Sequence, residues 1–190
     1  MTKLVGITGG IGGGKSVVSQ ILRTMGFPVY DCDSCAKTIM DSDTCIHEEL
    51  CRQISPRVVV DGFIDRRLLS EIVFNDASAL QRLNAIVHAA VEDDVRHWSD
   101  ACQSAIAFVE SAILYRCRLA NMVDAVVEVS APTELRIERV IKRSNLTRQE
   151  VISRISSQVF SEKHHPCTYY IINDNAEPIL PQLHQILSKL

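Results

Sequence analysis

Directly behind the apolar run Leu4-Val5-Gly6-Ile7 stands Gly9-Gly10-Ile11-Gly12-Gly13-Gly14-Lys15-Ser16, in which five glycines precede a lysine and a serine. From Gly9 to Ser16 the spacing is G-x-x-x-x-G-K-S/T, that of a phosphate-binding loop. Glycine is needed where the backbone curls so that successive N–H groups converge on an anion, since side chains there would block the oxygens and resist positive φ. The helix that follows adds the positive end of its dipole. Lys15 is then placed to reach the β- and γ-phosphates, and the Ser16 hydroxyl to ligate Mg²⁺. A glycine-rich turn with a fortuitous Lys-Ser would not need a strand before it and a helix after it. Reading G-x-G-x-x-G from Gly10 puts Lys15 where the third glycine should be, so the ligand is a nucleoside triphosphate rather than a dinucleotide. The loop leaves the reaction open.

Further residues narrow it. Asp31-Cys32-Asp33 follows the run Phe27 to Tyr30. A carboxylate there can orient an acceptor hydroxyl and take its proton, or support Mg²⁺ through water. The competing role for Asp33 is to N-cap a helix starting near Ser34. Glu110, behind Ala105 to Val109, either helps position Mg²⁺ through water or is a structural carboxylate. Arg136, Arg139, Arg143 and Arg154 fit a lid whose guanidinium groups meet the transferring phosphoryl, or else a solvated helix face. No N-K-x-D guanine motif occurs, which weighs against a signalling GTPase. Cys32-x-x-Cys35 has no second pair to complete a metal site, and the histidines are scattered, so surface positions are expected for them.

The elements that must position these groups are short apolar runs alternating with helical patterns: Lys3 to Thr8, Phe27 to Tyr30, Ala105 to Val109, Ala125 to Val129 and Tyr169 to Ile172. They predict an α/β fold with a parallel sheet covered on both faces. Val17, Val18, Ile21, Leu22 and Met25 follow helical spacing, with Gly26 as the stop. About 70 residues separate the second and third strands, more than a crossover needs, and predict a helical insertion over approximately 33–100. A second insertion after Pro132 carries the arginines, with Thr147-x-x-Glu150 as a capping box, and is expected to form a lid over approximately 133–165.

The chain has 190 residues, 46% hydrophobic and 23% charged, which suits one main domain with inserted structure. A formal net charge of −3 provides no field for nucleic acid. No uncharged apolar stretch approaches the roughly 18 residues of a membrane helix, and a cytoplasmic protein is expected. Seven irregularly spaced cysteines suit reduced thiols.

Taken in order, these motifs resemble the dephospho-CoA kinases of coenzyme A biosynthesis along nearly the whole chain. Gly6-Ile7-Thr8-Gly9-Gly10-Ile11-Gly12-Gly13-Gly14-Lys15-Ser16 resembles that family's G-L-T-G-G-I-G-S-G-K-S, and Asp31-Cys32-Asp33 with Ala36 its D-A-D-x-x-A-R. Asp61-Gly62-Phe63-Ile64-Asp65-Arg66-Arg67-Leu68-Leu69 resembles D-G-x-I-D-R-x-x-L, and Leu83-Asn84-Ala85-Ile86-Val87-His88 resembles L-E-x-I-x-H-P. Arg139-x-x-x-Arg143, Leu146-Thr147, Arg154 and Gln158 resemble the lid pattern, and Ile171-Ile172-Asn173 the closing I-x-N. Val17 replaces a usual Thr, Ala89 a Pro, Lys37 an Arg, and Arg116 a Glu of opposite charge.

The resemblance implies a P-loop NTPase fold: a parallel five-stranded sheet with helices on both faces, a helical acceptor-binding insertion and a helical lid. It implies a kinase using ATP and Mg²⁺ that phosphorylates the 3′-hydroxyl of dephospho-CoA, a small-molecule substrate, with a monomer favoured and neither nucleic acid nor membrane as partner. Lys15 and the amides of Gly12 to Ser16 would hold the β- and γ-phosphates, with Gly10, Ile11 and Val17 completing the loop and Ser16 on the metal. Asp33 would deprotonate the acceptor, Arg143 would neutralise the phosphoryl charge, and Arg139 and Asn173 would serve the nucleotide, Asn173 near the adenine. Arg66 and His88 are candidates for the acceptor. Another small-molecule kinase of this class would explain the loop, Asp33 and the lid equally.

Overall fold

Lys3–Thr8 forms β1, a strand buried along almost its whole length at the centre of a five-stranded sheet. The computed structural model describes residues 2–158 and 164–190. The other strands of this sheet are β2 (Val29–Asp31), β5 (Ile106–Glu110), β6 (Ala125–Ser130) and β7 (Thr168–Ile172), in the order β2-β5-β1-β6-β7. β1 pairs in parallel with β5 and with β6, and β6 in parallel with β7. The chain leaves β1 toward one edge and later builds β6 and β7 on its other side, so β1 ends at the switch point where open parallel sheets place their ligand crevice. All five strands lie where the apolar runs predict them, within two residues at each end.

Two helices cover one face. α1 (Lys15–Thr24) turns Val18 and Leu22 inward, and α8 (Ile179–Leu187) turns Leu183 and Ile186 inward, onto Val5, Ile7, Phe108, Val127 and Val129. Phe27 meets Phe108 edge to face at 5.6 Å between ring centres. Each such aliphatic side chain taken fully out of water contributes about 1.5–3 kcal/mol. Gly26 ends α1 at φ 90°, the left-handed stop its position predicts.

The chain divides into two units, one running through Tyr30 and again from Ser99 to Leu190, the other Asp31–Trp98. The second contains α2 (Cys32–Ser42), α3 (Thr44–Gln53), α4 (Arg66–Asn75) and α5 (Ala77–Ala101, whose end passes into the first unit), around Ile46, Leu50, Val58 and Leu69. It is not wholly helical as the sequence reading expects. Val59–Val60 (β3) and Phe63–Ile64 (β4) pair antiparallel through Asp61 at φ 51° and Gly62 at φ 80°, the two positive angles of a tight hairpin turn. His47 also departs from its expected surface position: it is buried, with Nε2 donating to the carbonyl of Met40 at 2.8 Å.

In the first unit, α6 (Thr133–Arg143) and α7 (Arg148–Ser157) form a hairpin with its own core of Ile137, Val140 and Val151. The capping box is in place: the Thr147 hydroxyl accepts the Glu150 N–H while the Glu150 carboxylate takes the Thr147 N–H at 2.7 Å. Of the expected lid, residues 159–163 lie outside the described residues. All seven cysteines are free thiols, and no helix among the described residues is long and apolar enough to cross a membrane.

Candidate active site

The loop between β1 and α1 has its acceptors occupied by the protein itself. The carbonyl of Gly9 accepts from Nζ of Lys15 at 2.9 Å, and that of Gly10 from the Gly13 N–H at 3.0 Å. Ile11 O accepts from Nε of Arg136 at 2.9 Å, Gly12 O from Arg139 at 3.4 Å, and Gly13 O from the side-chain amide of Asn173 at 3.0 Å. Five consecutive carbonyls are thus turned onto protein donors. The N–H groups of Ile11 and Gly13 are taken as well, by Gln158 and by the Gly10 carbonyl, and those of Val17 and Val18 by the Gly14 carbonyl, so the donors left to a ligand lie among the remaining N–H groups of the loop and the first residues of α1. That is an anion cradle at the positive end of a helix.

The glycines are required by close approach as much as by torsion. Gly9, Gly12 and Gly14 have φ of 146°, 76° and 103°. A Cβ at Gly9 would stand 2.1 Å from the Val129 carbonyl oxygen, and one at Gly14 2.0 Å from Nδ2 of Asn173. At Gly12 it would meet the Arg136 carbonyl oxygen at 2.6 Å. The loop therefore sits directly on the end of β6 and the start of α6. Ser16 and Val17 open α1 with exposed side chains, in the place the motif gives them.

Arg139 and Asn173 are brought together. Arg139 reaches Gly12, the Asn173 side-chain oxygen at 3.1 Å and the Asn175 oxygen at 2.7 Å, while Asn173 lies buried under the loop. Arg143, the last residue of α6, is exposed. Glu110 ends β5 half-buried, in register with Ile7. Arg116, at the position of reversed charge, donates to the carbonyl of Ser157 at 3.4 Å, a favourable place for a cation at the end of α7.

At the start of the second unit, the cap of α2 is Asp31. Its carboxylate accepts from the N–H groups of Asp33 at 3.0 Å and Ser34 at 3.1 Å, and from the Ser34 hydroxyl at 2.8 Å. The capping role open to Asp33 in the sequence therefore falls to its neighbour, and the Asp33 side chain is exposed in the first turn of the helix. Arg66 pairs with Asp41, both more than half exposed, and His88 lies half-buried along α5. A cavity of about 580 Å³ opens between α3 and α5, over Ile46, Ile86 and Ala89. Neither Arg66 nor His88 lines it, and its carboxylates Asp43, Glu49, Asp93 and Asp94 would repel phosphate.

Sequence reasoning assigned no individual role to Arg136, Gln158 or Asn175. Gln158 accepts the Ile11 N–H at 2.8 Å through a side chain 147 positions away. Asn175 adopts φ 68°, a left-handed turn that asparagine tolerates. Burial pushes the Arg136 guanidinium below its usual range.

The sequence profile described as dephospho-CoA kinase matches residues 3–178. A Bacteroides fragilis protein named dephospho-CoA kinase is 39% identical over 189 residues, covering 98% of this chain and 92% of its own. A crystal structure from Thermus thermophilus superposes with a TM-score of 0.80 at 34% identity, over 100% of this chain and 98% of the other. That of a dephospho-CoA kinase from Campylobacter jejuni does so at 0.70 and 24% identity, over 100% and 97%, a likeness of fold.

Proposed function

The chain belongs to the dephospho-CoA kinase family, and on that premise we propose that it moves the γ-phosphoryl group of ATP to the 3′-hydroxyl of dephospho-CoA, giving CoA and ADP. The observation that carries the reading is the set of five loop carbonyls, Gly9 to Gly13, all accepting from the protein. With its carbonyls so occupied, the loop meets a ligand through its remaining N–H groups, which suits a phosphate.

Gly10 to Gly14 and the start of α1 hold the phosphates; the Ile11 N–H serves Gln158 and the Val17 N–H the Gly14 carbonyl, so Ile11 and Val17 shape the cradle without adding donors of their own. Lys15 turns its ammonium from the Gly9 carbonyl to a phosphate oxygen. The residues fit a divalent ion: the Ser16 hydroxyl, exposed at the head of α1, is the protein group that would hold Mg²⁺. When bound, the ion neutralises charge on the phosphate oxygens. Arg139 braces the loop and Asn173 beside the nucleotide, and Arg143, exposed at the end of α6, supplies the guanidinium for charge on the transferring group.

Asp33 is the general base. Its carboxylate is left unused by the helix cap, so it is available to orient the acceptor hydroxyl and take its proton as the phosphoryl group leaves ADP. Arg66 and His88 serve the acceptor, Arg66 by exchanging Asp41 for a phosphate of dephospho-CoA. Such a reaction needs little covalent help, and positioning with electrostatics supplies most of the rate. The protein works as a cytoplasmic monomer.

The test is ADP release with alternative acceptors. Dephospho-CoA should stimulate turnover and yield CoA, while adenylate and shikimate should not. Equal stimulation by adenylate or shikimate would assign the chain to a different small-molecule kinase.

A further inference from the structure

Ile11 belongs to the phosphate loop by sequence and to the α6–α7 hairpin by packing. Its side chain lies against the core of Ile137, Val140 and Val151. Its N–H donates to Oε1 of Gln158 at 2.8 Å, and its carbonyl accepts from Nε of Arg136 at 2.9 Å. Arg136 stands near the start of α6 and Gln158 closes α7, so both open ends of the hairpin converge on one loop residue.

A merely structural contact would not require these residue types. Arg136 keeps a guanidinium partly buried beside an aliphatic core, with one terminal nitrogen fully buried and lacking an acceptor. An apolar residue would fill that place without the desolvation cost. What the charged fork provides is a directed bond to a chosen carbonyl. Next to it the loop and α6 touch through backbone, since the Arg136 carbonyl oxygen is where a Gly12 side chain would begin.

We propose that Arg136 and Gln158 are positioning residues for the phosphoryl donor: by gripping Ile11 they lock the tip of the phosphate loop to the α6–α7 hairpin. The arginines of the hairpin are thereby kept at a fixed offset from the loop, and Arg139 reaches Gly12 one turn further along the same helix. The inference rests on reading the loop as the ATP site.

The experiment is ATP binding by calorimetry without acceptor, alongside KM for each substrate and the melting temperature. Gln158→Leu removes the acceptor for Ile11 and is expected to weaken ATP binding about tenfold. KM for dephospho-CoA should stay within about twofold and the melting temperature within about 2 °C. Gln158→Glu keeps an acceptor oxygen and should restore ATP affinity. Arg136→Met should weaken ATP binding similarly, and the double variant Arg136→Met/Gln158→Leu should lose less than the sum, because both hold one residue. Unchanged ATP affinity in Gln158→Leu, or equal losses in the Leu and Glu variants, would overturn the proposal. Should Gln158→Leu fail to fold, Arg136→Met decides: a fall in ATP affinity at unchanged melting temperature supports the clamp, and wild-type affinity removes it. A wild-type chain that binds ATP but makes no CoA would refute the acceptor and leave the clamp standing.

Discussion

The side-chain amide of Asn173 donates to the carbonyl of Gly13 at 3.0 Å, across 160 positions of sequence. Its oxygen accepts from Arg139 at 3.1 Å, so the two ends of one amide have opposite and fixed tasks. The end of β7 thereby supports the phosphate loop from beneath.

Asn173→Asp keeps the shape and replaces the donor facing Gly13 with an acceptor. A buried carbonyl would then face a carboxylate, a loss of about 1–3 kcal/mol. ATP affinity measured by calorimetry is expected to fall at least tenfold, while Asn175→Asp, at the exposed end of the same network, should fall less.

Gly14→Ala meets two obstacles, φ of 103° and a Cβ 2.0 Å from Nδ2 of Asn173. Gly26→Ala meets only the first, with φ of 90° and open space. Gly14→Ala should lose ATP binding. Gly26→Ala should bind ATP normally and lose about 1–2 kcal/mol in a urea titration, the torsional cost alone.

Lys15→Ala removes both the bond to Gly9 and the charge offered to the phosphates. Retained ATP affinity in that variant would place the nucleotide elsewhere. Loss of affinity with an unchanged melting temperature is the expected result.

Acid should loosen the α7 end of the hairpin. The Thr147 side chain, and then its backbone N–H, hold the Glu150 carboxyl below the ordinary glutamate range. A depressed folded value means that this contribution is complete above the unfolded value of about 4.3 and is lost as pH falls through the folded one. Glu150→Gln should therefore flatten the loss of stability as pH falls below about 4.3, read from urea midpoints at each pH.

Much of this was legible in the residues. The loop announces itself because its chemistry is local: the spacing from Gly9 to Ser16 is a single turn of backbone meeting one helix. The strands were legible because each is a buried apolar run with turn residues at its ends. The β3–β4 hairpin was missed although Asp61-Gly62 is a turn signal, because two-residue strands carry no alternation. Whether Asp33 caps α2 or is left for chemistry is open in the sequence: Asp31 and Asp33 are equivalent in type, and only the hydrogen bonds to Asp31 distinguish them. The braces of the loop were the least accessible. The sequence places Arg136, Arg139 and Gln158 in the lid pattern, but that they hold the loop carbonyls and the Ile11 N–H emerges only when α6 and α7 are set against Ile11 and Gly12.

The most direct measurement follows the γ-phosphoryl group itself, using radiolabelled ATP, dephospho-CoA and either the wild-type chain or Asp33→Asn. The wild type should transfer label to the 3′-hydroxyl, one CoA per ADP. Asp33→Asn should bind ATP as before and transfer it about 10²–10⁴-fold more slowly. Label released only as inorganic phosphate by the wild type, or transfer at the wild-type rate by Asp33→Asn, would contradict the account.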